Sequence, residues 1–148
     1  MSENQTPSTD DGSQAAESVR RQLTTARDDL LKVHRALLHV ERTRYEKVHG
    51  RIANNGIFLQ LVIGDPFFDW LRPMGQMVLL IDERVEDKEN PLQTVEAIAL
   101  LSRARELLTA DEGGDAFQRL YFQALQQSAD LAVLHGQVAV KHRPTPLS

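Results

Sequence analysis

One apolar stripe, over residues 19–40, constrains the fold of this chain more than any other feature of the sequence. Its members follow one another at alternating steps of four and three residues: Val19, Leu23, Ala26, Leu30, Val33, Leu37 and Val40. Such steps return to the same side of an α-helix. A second stripe runs beside it through Leu31, His34, Leu38, Glu41, Tyr45 and Val48. Together they predict a helix from about Gln14 to His49, ended by Gly50, with a wide apolar face.

This first helix is long for a small domain. About 35 residues at 1.5 Å per residue give a helix of about 50 Å. The apolar residues near its start, Val19 to Leu30, therefore need other residues to bury them. Two possibilities follow: shorter helices of the same chain fold back onto this part of the helix, or a second copy of the chain packs against it.

The residues after Gly50 predict short helices. Asn54-Asn55-Gly56 is a turn signal, and the apolar run Ile57–Ile63 is interpreted as helix because no second alternating segment could pair with it as a strand. Asp65 and Pro66 predict a capped start for the segment Phe67-Phe68-Asp69-Trp70-Leu71, here called the aromatic turn. Because Arg72 precedes a proline, we expect it to leave helical geometry and the chain to bend there.

Four further helices complete the prediction. A central helix carries Met74, Met77, Val78, Ile81 and Val85 on one face. The next is expected over Pro91–Leu108, capped by Asn90, with Val95, Ile98, Leu101, Ala104 and Leu108 inward. Thr109–Glu112 resembles a capping box. The last two helices are expected over Asp115–Gln127 and after Ser128, the second weakened by Gly136. The prediction is an all-α, single-domain bundle of five or six helices.

The ends of the chain differ from this domain in composition. Residues 1–14 hold three acids and no large apolar side chain except the initial Met1, so we expect a disordered acidic tail. Residues 15–141 form the predicted helical domain. Residues 142–148 contain two prolines and are expected to be a frayed tail.

Composition excludes several chemistries. The chain has no cysteine, which removes disulfides, thiolate metal sites and cysteine nucleophiles. Residues 15–51 carry a net charge of +4 and residues 52–148 of −5, and the basic part is too diluted by acids to favour nucleic acid as a partner. We find no secretory signal and no apolar run long enough for a membrane span, so we expect a cytoplasmic protein.

The sequence contains no complete catalytic or metal-binding motif of the kinds considered below. Glu46 and His49 form one E-x-x-H, but a di-iron bundle needs two, and no other glutamate is followed by histidine at that spacing. No G-x-S-x-G, phosphate-binding glycine loop or dinucleotide fingerprint is present. We therefore predict no catalytic residues, no bound metal and no cofactor.

Polar residues in apolar surroundings give one candidate site. They are His34, Glu41, Tyr45, Asp65, Trp70, Arg72 and Asp82. A buried charge needs a partner, so these residues predict either a structural ion-pair network or a polar pocket near the aromatic turn. We expect Arg72 to pair with Glu41, because a guanidinium can bind a carboxylate with two hydrogen bonds.

The segments GDPFFDWLRPMGQMVLLIDE and HRALLHVERTRYEKVHG resemble an uncharacterised family of small all-helical bacterial proteins. The resemblance covers about the middle two thirds of the chain. It implies a helical fold and no activity that could be assigned to these residues.

Two functions follow from the sequence. The wide apolar face of the first helix favours a protein that acts through interaction, either with a protein partner or as a homo-oligomer. The alternative is a small-molecule-binding or metal-binding helical domain, including an enzyme, that uses the polar pocket.

Overall fold

The structure, a computed structural model, describes the backbone of residues 7–142 and the side chains of residues 12–142. The described chain is a single all-α domain of six helices, and it contains no strand. The helices are α1 (Pro7–His49), α2 (Asn55–Gly64), α3 (Arg72–Glu86), α4 (Thr94–Leu107), α5 (Ala116–Leu125) and α6 (Ala129–Lys141). A 3₁₀ helix, Pro66–Leu71, contains the aromatic turn. No helix of this part is long and apolar enough to span a membrane.

Helix α1 is the axis of the bundle. Five stripe residues, Leu23, Ala26, Leu30, Val33 and Leu37, have no exposed surface, and Val40 is 9% exposed. Helices α3 and α4 of the same chain pack along α1. Arg20 Nη2 donates to the Leu92 carbonyl oxygen at 2.6 Å, which ties the early part of α1 to the residues before α4. The stripe is thus covered by helices of its own chain.

The first helix begins earlier than the composition predicts. It starts at Pro7, not Gln14, and so runs through part of the predicted acidic tail. Proline suits a first helical position because its fixed φ is helical and its missing N–H would have no partner there. Residues 1–6 and 143–148, which belong to the two predicted tails, lie outside the described residues.

The chain does not bend at Arg72. Its φ of −56° and ψ of −42° are α-helical, so the 3₁₀ helix continues directly into α3 and the predicted break is wrong. Pro73 lies in the first turn of α3, where its nitrogen needs no hydrogen-bond partner. Phe68, Leu71 and Met74 are buried on both sides of the junction, and their packing outweighs the bias against helix before proline.

The inward face of α4 also differs from the prediction. Helix α4 starts at Thr94, so Gln93 and not Asn90 is at its N-cap position. Asn90 lies in the preceding loop, where its N–H donates to Asp87 Oδ1 at 3.0 Å. Val95 is 81% exposed and Ile98 is 52% exposed. Leu101, Ala104 and Leu108 are buried as predicted, and Ala97 and Leu107 are buried in place of Val95 and Ile98.

Helix caps were predicted correctly at Asp65, which accepts from the Phe67 N–H at 2.9 Å, and at Ser128, which accepts from the Leu131 N–H at 3.1 Å. Asn54, predicted only as part of a turn, also caps a helix, because its side chain accepts from the Ile57 N–H at 2.9 Å. The capping box, however, is not at Thr109–Glu112. It is formed by Asp115 and Gln118, whose side chains each accept the backbone N–H of the other residue.

Candidate functional site

The seven residues of the predicted polar pocket do not form one pocket. Glu41, Tyr45 and Trp70 belong to one cluster, His34 and Arg72 line a cleft, Asp82 pairs with α1, and Asp65 caps the 3₁₀ helix. The structure therefore does not bring the seven residues together at one point, because α1, α3 and the 3₁₀ helix place them beside different neighbours.

Glu41 is buried and fully partnered. It is 3% exposed, and Arg44 donates to both of its oxygens at 3.2 and 2.8 Å. Trp70 Nε1 donates to Glu41 Oε2 at 3.2 Å. The hydrogen bonds from Arg44 to Glu41 raise the pKa of the guanidinium. This carboxylate joins α1 to the aromatic turn and leaves little capacity for a ligand.

Arg72 is not the partner of Glu41, which corrects the prediction. Its exposed Nη2 donates to Asp69 Oδ1 at 2.9 Å and to the Ile63 carbonyl oxygen at 3.0 Å. Arg44 takes its place because it lies one turn along α1 from Glu41, on the same side of the helix.

The E-x-x-H at the end of α1 is structural. Glu46 Oε2 accepts from the Ile52 N–H at 2.8 Å and so closes the loop after the helix. The His49 ring lies 4.4 Å from the Tyr45 ring, centroid to centroid, and Tyr45 in turn packs on Phe67. Across residues 12–142 no three His, Asp or Glu side chains are grouped as a metal site would require.

Asp82 makes a bidentate ion pair with Arg27. Arg27 Nε and Nη2 donate to its two oxygens, both at 2.8 Å. These hydrogen bonds raise the pKa of Arg27. The pair ties α3 to α1.

An apolar cleft of about 440 Å³ lies between α1, α2 and α3. Its walls include Leu31, Val62, Ile63, Phe68, Val78 and Leu79. His34 and Arg72 are its basic residues. Burial lowers the pKa of His34, so its ring is neutral at neutral pH. The His34 ring faces Gly75, where an added Cβ would lie 3.3 Å from it.

One buried ionic cluster is not predicted by the sequence patterns. Asp29 is 1% exposed, and it accepts from Lys141 Nζ at 3.0 Å and pairs with His142 Nε2 at 2.8 Å. Asp29 lies three residues after Ala26 and four before Val33, which places it on the buried stripe. His142, predicted to fray, is instead 9% exposed and fixed to α1.

We compared the chain with protein-family models, curated proteins and solved structures, and none of them matches it.

Proposed function

We propose that the protein acts through self-association, and that two copies meet through the α2–α3 surface. This surface consists of Leu59 and Ile63 on α2, Leu79 on α3, and the apolar cleft beside them. Leu59, Ile63 and Leu79 are 59, 66 and 64% exposed. Large apolar side chains grouped around an apolar cleft are typical of a binding surface.

The observation that carries the proposal is that α2 is apolar and uncharged, yet it is not buried by its own domain. Its sequence is NGIFLQLVIG, which contains six apolar side chains, two glycines and no charged residue, and none of its residues is fully buried. An ordinary surface helix buries an apolar face and turns a charged face to water. Helix α2 has no such charged face. A second chain packed against it would bury the apolar side chains that its own domain leaves exposed to water.

The shape of the surface favours a second copy over an unrelated partner. Leu59 and Ile63 are one turn apart and form a ridge on α2, the pattern with which a helix enters an apolar groove. Ile63 and Leu79 flank the cleft. Ridge and groove therefore lie side by side on one surface, and a two-fold axis would place the ridge of each copy in the groove of the other.

The distribution of charge along the chain also favours contact through α2. The chain carries a net charge of −4, and residues 52–148 account for a net −5, so two copies repel each other over much of their acidic parts. Residues 55–64 carry no charge at all. Contact through α2 therefore brings no like charges of that helix together.

A second candidate function is the binding of a small apolar molecule in the same cleft. Its volume of about 440 Å³ is typical of ligand pockets, which are apolar with few polar groups. The neutral, half-buried His34 would supply one donor and one acceptor for a polar group of such a ligand.

The test of self-association is the Ile63→Lys variant. We expect the unmodified chain to form dimers and this variant to weaken dimerisation by about a hundredfold or more, because a two-fold interface would bury the unpaired lysine twice. Analytical ultracentrifugation over a concentration series measures the effect. Val95→Lys is the matched control, since Val95 is 81% exposed on α4 and should leave the dimer unchanged.

Two outcomes would contradict self-association through α2. One is an unmodified chain that stays monomeric at every concentration tested. The other is an equal loss of dimer in the Ile63→Lys and Val95→Lys variants. A monomer that binds an apolar probe dye in a His34-dependent manner would favour the second candidate instead.

A further inference from the structure

One side of α1 carries a row of mostly basic residues that takes no part in the α2–α3 surface. Its members follow one another at steps of three or four residues and so lie on one side of the helix: Lys32, Arg35, His39, Thr43 and Lys47. All five are exposed, and the buried apolar stripe lies on the other side of α1. From Lys32 to Lys47 the helix rises about 22 Å, at 1.5 Å per residue. We call this surface the basic row.

The acids close to the basic row in sequence are already held by other residues. Residues 28–47 contain the carboxylates of Asp28, Asp29, Glu41 and Glu46. Asp29 and Glu41 are buried inside the bundle. Asp28 pairs with Arg27 at 3.3 Å, and Glu46 pairs with Arg42 at 3.8 Å. The surface of α1 is therefore more positive than the count of charges along the sequence indicates.

The cations of the basic row are not paired in the part of the chain described. Lys32, Arg35 and Lys47 form no ion pair with a carboxylate of residues 12–142. One acid does lie near the end of the row. Asp130, in the first turn of α6, lines a polar cleft together with His39 and Lys47. The row thus presents three free positive charges, opposed by one negative charge at its end.

The side chains of the basic row suit phosphate groups better than a protein or a bilayer. Between Lys32 and Lys47 no large apolar side chain is exposed. A protein interface has an apolar centre, and a helix bound at a membrane surface inserts apolar side chains. Contacts with nucleic-acid phosphates need only cations and other hydrogen-bond donors. The row has no Phe, Tyr or Trp on which the bases of a single strand could stack, so a duplex is the better fit.

We propose that the basic row of α1 binds the phosphate backbone of a nucleic-acid duplex. Lys32, Arg35 and Lys47 each neutralise one phosphate, and Asp130 opposes the contact at the end of the row. Such binding does not depend on base sequence and releases counterions, so it weakens as salt is added. For three neutralised phosphates, the logarithm of the binding constant falls with the logarithm of salt concentration with a slope of about −2.7.

Fluorescence anisotropy of a labelled DNA duplex, titrated with the full chain at low salt, tests this proposal. The net charge of −4 on the chain weakens binding to DNA, so low salt is needed. A rise in salt from about 25 to about 100 mM should weaken binding about 40-fold. Lys47→Gln should bring the slope to about −1.8, because one phosphate contact is lost. The matched control is Lys88→Gln, which removes the same charge from an exposed lysine after α3 and should leave the slope unchanged.

Asp130→Asn gives a test of the opposite sign. Removing this carboxylate from the cleft beside Lys47 should tighten duplex binding by about twofold or more, because its repulsion of phosphate is lost. A carboxylate with a purely structural role would not produce this gain. Parallel titrations with DNA and RNA duplexes of equal length distinguish the two sources of the backbone, since the tighter complex identifies the ligand.

No duplex binding at about 25 mM salt, or equal slopes for Lys47→Gln and Lys88→Gln, would overturn the proposal. Tighter binding of the row to poly-glutamate or to vesicles of anionic lipid would also overturn it, because the partner would then be an acidic protein or a membrane. The basic row shares no residue with the α2–α3 surface. Lys47→Gln should therefore leave dimerisation unchanged, and each of the two proposals can fail without the other.

Discussion

Replacing Leu23 with aspartate is expected to lower the free energy of unfolding by about 4 kcal/mol or more, enough to unfold much of the population of a small domain. Leu23 has no exposed surface, although it lies in the early part of a helix of 43 residues. Truncating such a leucine alone costs about 3–5 kcal/mol, and a buried carboxylate without a partner adds to that cost. Urea denaturation followed by circular dichroism measures the change.

The neighbouring residue Thr25 provides the control for Leu23. It is exposed on the same turn of α1, so Thr25→Asp should change stability by less than about 0.5 kcal/mol. If Leu23→Asp does not fold, Leu23→Ala gives a measurable loss of about 2–5 kcal/mol. A Leu23→Asp chain as stable as Thr25→Asp would mean that α3 and α4 do not cover the start of α1.

The Asp29→Ala variant is expected to lose about 3 kcal/mol of stability, because it leaves the buried ring of His142 without its hydrogen-bond partner. Lys141, the other partner, is 47% exposed and can return to water, so the loss is smaller than for a fully buried pair. Thermal and urea unfolding both report this change. Because Asp29 joins α1 to the end of α6, hydrogen exchange in α6 should accelerate as well.

Asp28 is the matched control for Asp29. It is 56% exposed and lies 3.3 Å from an Arg27 nitrogen, a surface ion pair of little value. Asp28→Ala should therefore change stability by less than about 1 kcal/mol. Equal losses in the two alanine variants would show that the Asp29 cluster does not hold the end of the chain to α1.

The apolar period of α1 predicted most of the architecture. Residues on that stripe repeat regularly over six turns, and every one from Leu23 to Val40 is buried. Polar caps were equally informative where the capping side chain lies next to the helix that it starts, as at Asp65 and Ser128. These signals are local, so no knowledge of tertiary packing was needed to interpret them.

Most of the site depended on contacts that no local pattern contains. Glu41 was correctly expected to be buried and paired. Its partner Arg44 lies one turn away on the same helix, whereas its contact with Trp70 depends on where the aromatic turn packs. Asp29 and His142 are 113 residues apart, and nothing near either residue indicates the other. Such pairs are set by how α1 and α6 pack.

Exposed apolar residues were the other source of error. Val95 and Ile98 were assigned to the core because they continue an apolar spacing, yet α4 buries Ala97 and Leu107 instead. Helix α2 is apolar on all sides, so its sequence gives no periodic signal to separate a buried face from an exposed one. The α2–α3 surface therefore became visible only when the neighbouring helices were in place.

The most direct test of the proposed interface uses the absence of cysteine. Gln60 is exposed on α2 between Leu59 and Ile63, so a Gln60→Cys variant carries a single thiol at the α2–α3 surface. A short bismaleimide should link two such chains at concentrations where the protein is dimeric. The control is Gln123→Cys, an exposed thiol on α5. The account predicts covalent dimers from the α2 thiol and few from the α5 thiol. Equal yields from the two positions, or no covalent dimer from Gln60→Cys, would contradict it.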